Sequence, residues 1–201
     1  MSLFDAILFD FDGVLADTEP LHCACWAEAL APHGILLDWP TYRDHCVGLS
    51  EPGLVAFVAA RAGREADYAA LWAEYPRKQD LFSKRVLAEP PISEDVVELL
   101  RGLSSYKLGL VTSTSRSELE PLLSRTGILD LFDTLVCAED VSRHKPAPEP
   151  YLLAAQRLGV TCALAVEDSP AGLASARAAG LEVLHIPEPR LLPELLRARL
   201  E

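Results

Sequence analysis

Residues 8–22 read LFDFDGVLADTEPLH. The run Ala6–Asp10, AILFD, is apolar up to its last residue, the pattern of a strand buried on both faces. A buried carboxylate costs several kcal/mol unless it is paired, hydrogen-bonded or bound to a metal, so the acids closing this run need a partner. Asp10 and Asp12 are two apart and can share one face of an extended chain before Gly13 turns it. Asp17, Glu19 and His22 follow at once.

Four further runs resemble the first: KLGLVT (107–112), TLVCAE (134–139), ALAVED (163–168) and LEVLHI (181–186). Helical patterns lie among the later ones, at Ser93–Leu103, Ser115–Arg125, Glu149–Leu158, Ala171–Ala179 and Leu191–Leu200. Strand and helix alternating in this way predict an α/β fold, a Rossmann-like parallel sheet covered by helices. The interval between the first two strands exceeds one crossover helix. Residues 21–88 hold helical stretches and turn signals (Pro32-His33-Gly34, Gly48, Pro52-Gly53, Gly63, Pro76) but no strand pattern. We therefore expect a discontinuous core, residues 1–16 plus 88–201, with an inserted α-helical cap at 17–87. Pro90-Pro91 marks the return to the core.

Ligands of open α/β sheets sit beyond the carboxyl ends of the strands. Polar residues gather there: Asp10 and Asp12 after the first strand, Thr112-Ser113-Thr114 after the second, Glu139-Asp140 and then Lys145 after the third, Glu167-Asp168 after the fourth. Two like charges about 4 Å apart at an effective dielectric near 20 cost roughly 4 kcal/mol, or about three pK units. Several bare carboxylates cannot share such a site. A hard divalent cation resolves the conflict, and Mg²⁺ suits it because it takes carboxylates, waters and phosphate oxygens together. Ser115-Arg-Ser-Glu118 has capping-box spacing, and a strand running into a helix N-terminus offers N–H groups to an anion. Lys145, between prolines in RHKPAPEPY, is a point charge for phosphate. Ser169-Pro170 reads as N-cap and first helical residue.

The bulk composition narrows the partners. At 201 residues, half of them hydrophobic, the chain can bury a sizeable core, and its formal charge of −12 argues against nucleic acid or an anionic membrane surface. The N-terminus has no basic leader pattern, and no apolar run approaches the ~20 residues that span a bilayer, so a cytoplasmic protein is expected. Five irregularly spaced cysteines read as reduced core thiols, and His22-Cys-Ala-Cys25 carries little metal-site signal, because in a helix residues two apart, such as Cys23 and Cys25, point away from each other. The expected oligomeric state is a monomer or a weak homodimer.

Four motifs, DFDGVLADTE (10–19), LVTS (110–113), HKPAPEPY (144–151) and VEDSPAG (166–172), stand in order along the chain. In them the sequence resembles a haloacid-dehalogenase-superfamily phosphohydrolase with a helical cap, of the β-phosphoglucomutase and phosphoglycolate phosphatase group. The resemblance implies that Asp10 attacks phosphorus and forms an aspartyl-phosphate, while Asp12 protonates the leaving oxygen and later takes a proton from water. It implies that Thr112, Ser113 and Lys145 hold the phosphoryl group. Mg²⁺ would be bound by Asp10, the backbone carbonyl of Asp12 and Asp168, with Glu167 either a ligand or just outside the ligand set. In the cap, Glu19 and His22 are candidates for substrate contact, as is Lys78 beside Arg77, while Trp26, Trp39 and Trp72 read as packing residues. Two departures stand out. Mutases of this group carry Gly-Val-Ser-Arg in the cap where this chain has Gly48-Leu49-Ser50-Glu51, and relatives commonly have glycine before the motif lysine where it has His144. The expected activity is Mg²⁺-dependent hydrolysis of a small phosphorylated metabolite such as a sugar phosphate. A sugar phosphomutase and a non-catalytic binding protein are the alternatives.

Overall fold

The computed structural model describes residues 3–47, 49, 51–63 and 67–201. The chain divides into two compact units, one of Met1–Asp17 with Pro90–Glu201 and one of Thr18–Glu89.

The first unit is a five-stranded, all-parallel sheet in the order β3-β2-β1-β4-β5: β1 Ala6–Phe9, β2 Lys107–Val111, β3 Thr134–Val136, β4 Ala163–Glu167 and β5 Glu182–His185. β1 is central and wholly buried, with Ala6 opposite Lys107 on one side and Ala163 on the other. Its continuous apolarity is what two covered faces require. The chain builds outward from β1 to β3, then returns to place β4 on the other flank. The β1/β4 boundary is thus the topological switch point, where helices diverge and leave a crevice.

Helix α8 (Glu149–Leu158) packs on β1, β2 and β3, and α9 (Pro170–Ala178) on β4 and β5. Ala6, Leu8, Val111, Tyr151, Ala154, Ala165 and Ala176 form the core between them. Helices α6 (Glu94–Gly102), α7 (Arg116–Thr126) and α10 (Leu192–Leu200) complete the unit. The sequence expectation differs at β3, which ends at Val136. Residues Ala138–Asp140 turn instead as a 3-10 segment, because Asp140 accepts the Cys137 N–H at 2.8 Å and folds the chain back.

The second unit is helical: α1 Glu19–Leu30, α2 Trp39–His45, α3 Glu51–Arg61, α4 Tyr68–Trp72 and α5 Tyr75–Ala88. Its core gathers Trp26, Leu30, Tyr42, Leu54, Val55, Val58 and Leu71. Gly34 and Gly63 do turn the chain, at φ of 73° and 68°. Pro52-Gly53 and Pro76 do not; they lie in the first turns of α3 and α5, where a missing N–H costs nothing. Gly48 lies outside the described residues. Trp26 is fully buried and Trp72 stacks on Tyr75, whereas Trp39 is 39% exposed. All five cysteines are free, and Cys25 is contacted by Arg85. Among the described residues, no helix is long and apolar enough to cross a membrane.

Candidate active site

Asp10 follows the last residue of β1, and its N–H donates to Val166 O of β4 at 2.9 Å, so backbone pairing holds the residue at the switch point. Beyond it the chain makes a tight turn: Leu15 N–H donates to Phe11 O at 2.9 Å and Gly13 N–H to Ala16 O at 2.9 Å, with Gly13 at φ 74°. A side chain at Gly13 would be strained and would also collide with Asp168, since a Cβ there would stand 2.0 Å from Asp168 Oδ2. The glycine lets the acid after β4 come up against the loop after β1.

Lys145 ties the cluster together. Its side chain is 7% exposed, and Nζ donates to Asp10 Oδ1 at 2.8 Å, Val111 O at 2.9 Å and Glu167 Oε1 at 2.6 Å, which uses all three of its hydrogens. Glu167, at 0% exposure, also accepts from Tyr151 Oη at 2.6 Å and from Ser169 Oγ at 3.4 Å. Ser169 caps α9 by accepting the Gly172 N–H at 3.0 Å. Asp12 Oδ2 accepts from Thr114 Oγ1 at 2.9 Å, and Thr112 Oγ1 accepts the Thr114 N–H at 3.0 Å. Thr112 is buried and Ser113 exposed on the turn that follows β2.

Burial dominates the electrostatics. It pushes Asp10 up to about 7, with Glu167 and Asp12 adding to the rise and Lys145 opposing it. Asp168 is raised to about 6, again chiefly by burial and then by Glu167. Burial works against charge on Lys145, but the carboxylates of Asp10 and Glu167 outweigh it and raise that pKa. One ammonium therefore faces more anionic charge than it can balance.

One ligand atom from each of Asp10, Glu167 and Asp168 lies within 4.8 Å of the others, and Asp168 Oδ1 is buried without a hydrogen-bond partner. An oxygen withdrawn from water and given no donor is what a cation site requires. Hard carboxylate oxygens fit Mg²⁺. Glu167 is the more fully engaged acid, held by Lys145, Tyr151 and Ser169, while the Asp12 carboxylate stands outside this trio and is turned to Thr114.

Not every strand-end residue joins the cluster. Glu139 accepts the Arg116 N–H at 2.9 Å, and Asp140 is clasped by Arg116 and Arg157 at 2.8 and 2.9 Å; these contacts, with Arg157 first, hold its pKa low. The acids after β3 bind α7 and α8 to the sheet, and the loop contributes Lys145 alone to the site. An acid already occupies the first N–H of α7, so that helix end is not the open anion site its position implies. Nor does the capping box close, because Ser115 Oγ donates to Glu118 Oε2 at 3.0 Å and accepts from no backbone N–H of the helix. His144 is exposed and its carbonyl accepts from Ala147 N–H. Tyr151 escaped sequence reasoning although it stands in the HKPAPEPY motif. The available signal was that a buried Glu167 must find donors.

Within the helical unit, Tyr42 Oη donates to Glu19 Oε2 at 2.8 Å, His22 stacks on Phe82 with ring centroids 4.1 Å apart, and Lys78 is fully buried beside both His22 and Glu51. Arg77 instead lies 45% exposed, 3.7 Å from Glu74. Adjacent helix positions point about 100° apart, which separates the two cations.

Gly172 offers a direct test of how closely α9 approaches. A Cβ at that position would stand 1.9 Å from Glu167 Oε1, whose carboxylate cannot retreat without breaking its bonds to Lys145 and Tyr151. Gly172→Ala should cost about 1–3 kcal/mol of stability, read from urea unfolding, despite the better helix propensity of alanine. A gain in stability would mean that this carboxylate is not locked.

The chain matches the haloacid dehalogenase-like hydrolase family over residues 7–186, and it belongs to that family. It is 33% identical over 196 residues to the fructose-1-phosphate phosphatase YqaB of Escherichia coli, covering 91% of this chain and 96% of the relative. It is 32% identical over 184 residues to a phosphorylated carbohydrates phosphatase of Thermotoga maritima, covering 90% and 84%. Among solved structures, CbbY from Rhodobacter sphaeroides in complex with phosphate superposes with a TM-score of 0.62 at 29% identity, over 90% of this chain and 84% of that one. The protein is a HAD-like phosphoric monoester hydrolase.

Proposed function

We propose that the protein is a Mg²⁺-dependent phosphatase that releases phosphate from a small phosphorylated metabolite, a sugar phosphate, through an aspartyl-phosphate on Asp10. The carrying observation is the crowding of Asp10, Glu167 and Asp168 around a single lysine, with Asp168 Oδ1 left unpartnered. Relatives named as fructose-1-phosphate and phosphorylated-carbohydrate phosphatases support the substrate class. Asp10, the Asp12 carbonyl and Asp168 would hold the metal, with Glu167 completing or bracing the set; when bound, it supplies positive charge that keeps the carboxylates ionised and offsets phosphate charge.

A carboxylate oxygen of Asp10 forms the bond to phosphorus as the ester oxygen leaves. Asp12, held by Thr114, gives that oxygen its proton and afterwards takes one from the water that cleaves the acyl phosphate. Lys145 steadies Asp10 and offers charge to the transferring group, and Thr112 with Ser113 supplies polar contacts beside it. The helical unit of residues 18–89 serves as the cap, shielding the reaction from bulk water and selecting the substrate. Acid-quenched enzyme from a radiolabelled sugar phosphate should carry label on Asp10. Turnover with label nowhere on the protein would overturn the covalent route.

The raised carboxyls also predict how metal and pH interact. Asp10 and Asp168 hold their protons to about 7 and about 6 in the folded state, whereas an unfolded chain releases them near the ordinary value of 3.8. The metal-free fold therefore binds more protons than the unfolded chain. Its stability falls as pH rises from about 4 to about 7 and is level above that, as far as these two groups are concerned. Millimolar Mg²⁺ should raise Tm far more at pH 8 than at pH 5, by differential scanning fluorimetry against an EDTA control. An equal shift at both would remove these acids from the metal site.

A further inference from the structure

The segment that carries Lys145 is anchored largely to itself. Ala147 stands between Pro146 and Pro148, which have no N–H to give, and its own N–H donates to His144 O at 2.9 Å within the same turn. Glu149, which opens α8 directly after the segment, accepts from the Ser142 N–H at 2.9 Å and from Arg143 Nε at 3.0 Å. Among the described residues, one donor from farther along the chain reaches the main chain of residues 142–147: Ser175 Oγ of α9 donates to Ala147 O at 2.6 Å.

Ser175 is 0% exposed. A hydroxyl buried inside a helix is unfavourable unless it is bonded, and alanine would suit the helix better. The face it occupies is the one turned to the acids of the site. Residues 169, 172 and 175 are three apart and share a side of α9. Ser169 Oγ donates to Glu167 Oε2 at 3.4 Å, Gly172 leaves room for the same carboxylate, and Ser175 holds the lysine segment. Glu167 Oε1 in turn accepts from Lys145 Nζ at 2.6 Å. The lysine is thus set from both ends, its head by Glu167 and its main chain, two residues on, by Ser175.

The head is not enough during turnover. All three hydrogens of Nζ are taken by Asp10, Val111 O and Glu167, so a phosphoryl oxygen gains one only as the bond to Asp10 is given up. A flexible four-carbon stem passes any drift of the main chain on to the charge, and a misplacement of about 1 Å can cost a hundredfold in rate.

We propose that Ser175 is a positioning residue for phosphoryl transfer: by holding the Ala147 carbonyl it fixes the main chain from which Lys145 reaches the transferring group. The inference rests on the phosphatase reading above and adds to it a residue outside the four motifs.

The test is Ser175→Ala with a ketohexose 1-phosphate as substrate, kcat and KM being measured at a temperature where circular dichroism shows the variant folded. Alanine is smaller and favours helix, so α9 keeps its place. kcat should fall about tenfold with KM within about twofold of wild type, because the charge of Lys145 matters most as the phosphoryl group is transferred. The inhibition constant for orthovanadate, a mimic of five-coordinate phosphorus, should rise by a similar factor. Ser175→Thr keeps the hydroxyl and should return kcat to within about threefold of wild type. A merely structural hydroxyl would lower Tm and leave the kcat of folded protein unchanged. That result, a loss carried by KM alone, unaltered vanadate inhibition, or a folded threonine variant no better than alanine each overturns the proposal. So does an alanine variant that cannot fold, which would make the hydroxyl a condition of folding and not of placement. If threonine does not fit the helix, the alanine variant decides alone. Wild-type enzyme that hydrolyses no phosphate monoester refutes the phosphatase reading instead, and so separates the two failures.

Discussion

Asp10→Asn removes turnover of an aryl phosphate, by on the order of 10⁴-fold or more in kcat, while leaving a folded protein. An amide lacks the charge to attack phosphorus, and the reaction has no second route of comparable rate. The fold tolerates the change for a reason visible in the ionisation of the site. Burial already pushes the Asp10 carboxyl up to about 7, so the charged form is poorly solvated and its loss relieves repulsion from Glu167. Asparagine is close in shape, and its Oδ1 can still accept from Lys145 Nζ, which stands 2.8 Å from the native oxygen. Phosphate release, measured beside a thermal melt, checks both halves. Residual kcat above about a hundredth of wild type would remove Asp10 from the nucleophile role.

Lys145→Met produces the largest loss of stability, about 3–5 kcal/mol, together with loss of activity. The ammonium satisfies Asp10, Glu167 and the Val111 carbonyl at once, and Glu167 has no exposure through which water could take its place. Removing one member of such a set leaves a buried charge uncompensated, which costs more than the pair contributes when intact. Neutralising the orphan should recover part of the loss. Glu167→Gln, destabilising alone because an amide is a weaker acceptor for Lys145 Nζ and Tyr151 Oη than the carboxylate it replaces, should be milder in the Lys145→Met background, with a coupling free energy of about 1–3 kcal/mol by urea unfolding. Strictly additive effects would show that the two residues do not share a network, contrary to the 2.6 Å contact.

Both predictions concern residues that were legible in the chain as a string. Strand AILFD could be recognised because a strand covered on both faces must be apolar throughout, and Asp10 was conspicuous because it ends that run. Helix limits were legible for the same local reasons: Ser93 accepts from the Val96 N–H and Ser169 from the Gly172 N–H, so α6 and α9 begin where their caps stand. The third strand was overextended because Cys137-Ala-Glu carries no local signal against strand. Asp140 reaching back to the Cys137 N–H is a contact between side chain and backbone that periodicity does not register.

Long-range partnership was illegible for a deeper reason. Lys145 and Glu167 are 22 residues apart, Lys78 and Glu51 are 27, and Asp12 and Thr114 are 102, so nothing in spacing joins them. Lys78 next to Arg77 looks like a solvated charged pair, yet helical rotation and the aromatic surroundings of Trp26 and Phe82 bury one and expose the other. Glu139 and Asp140 look as eligible for the site as Glu167 and Asp168, and only their capture by α7 and the arginines tells the two pairs apart.

The amino-acid order alone therefore determined the parallel sheet, the helical stretch between its first two strands and the acids at the carboxyl ends of β1 and β4, because hydrophobic periodicity and capping act between near neighbours, while the class of chemistry was legible only through the resemblance that the four motifs carry. Tertiary structure decided which acid shares which cation, which strand-end carboxylates serve packing, and that Lys78 is neutralised by Glu51. Those outcomes depend on burial and on charges meeting across many residues, and electrostatic energy depends on distance in space, to which position along the chain is no guide.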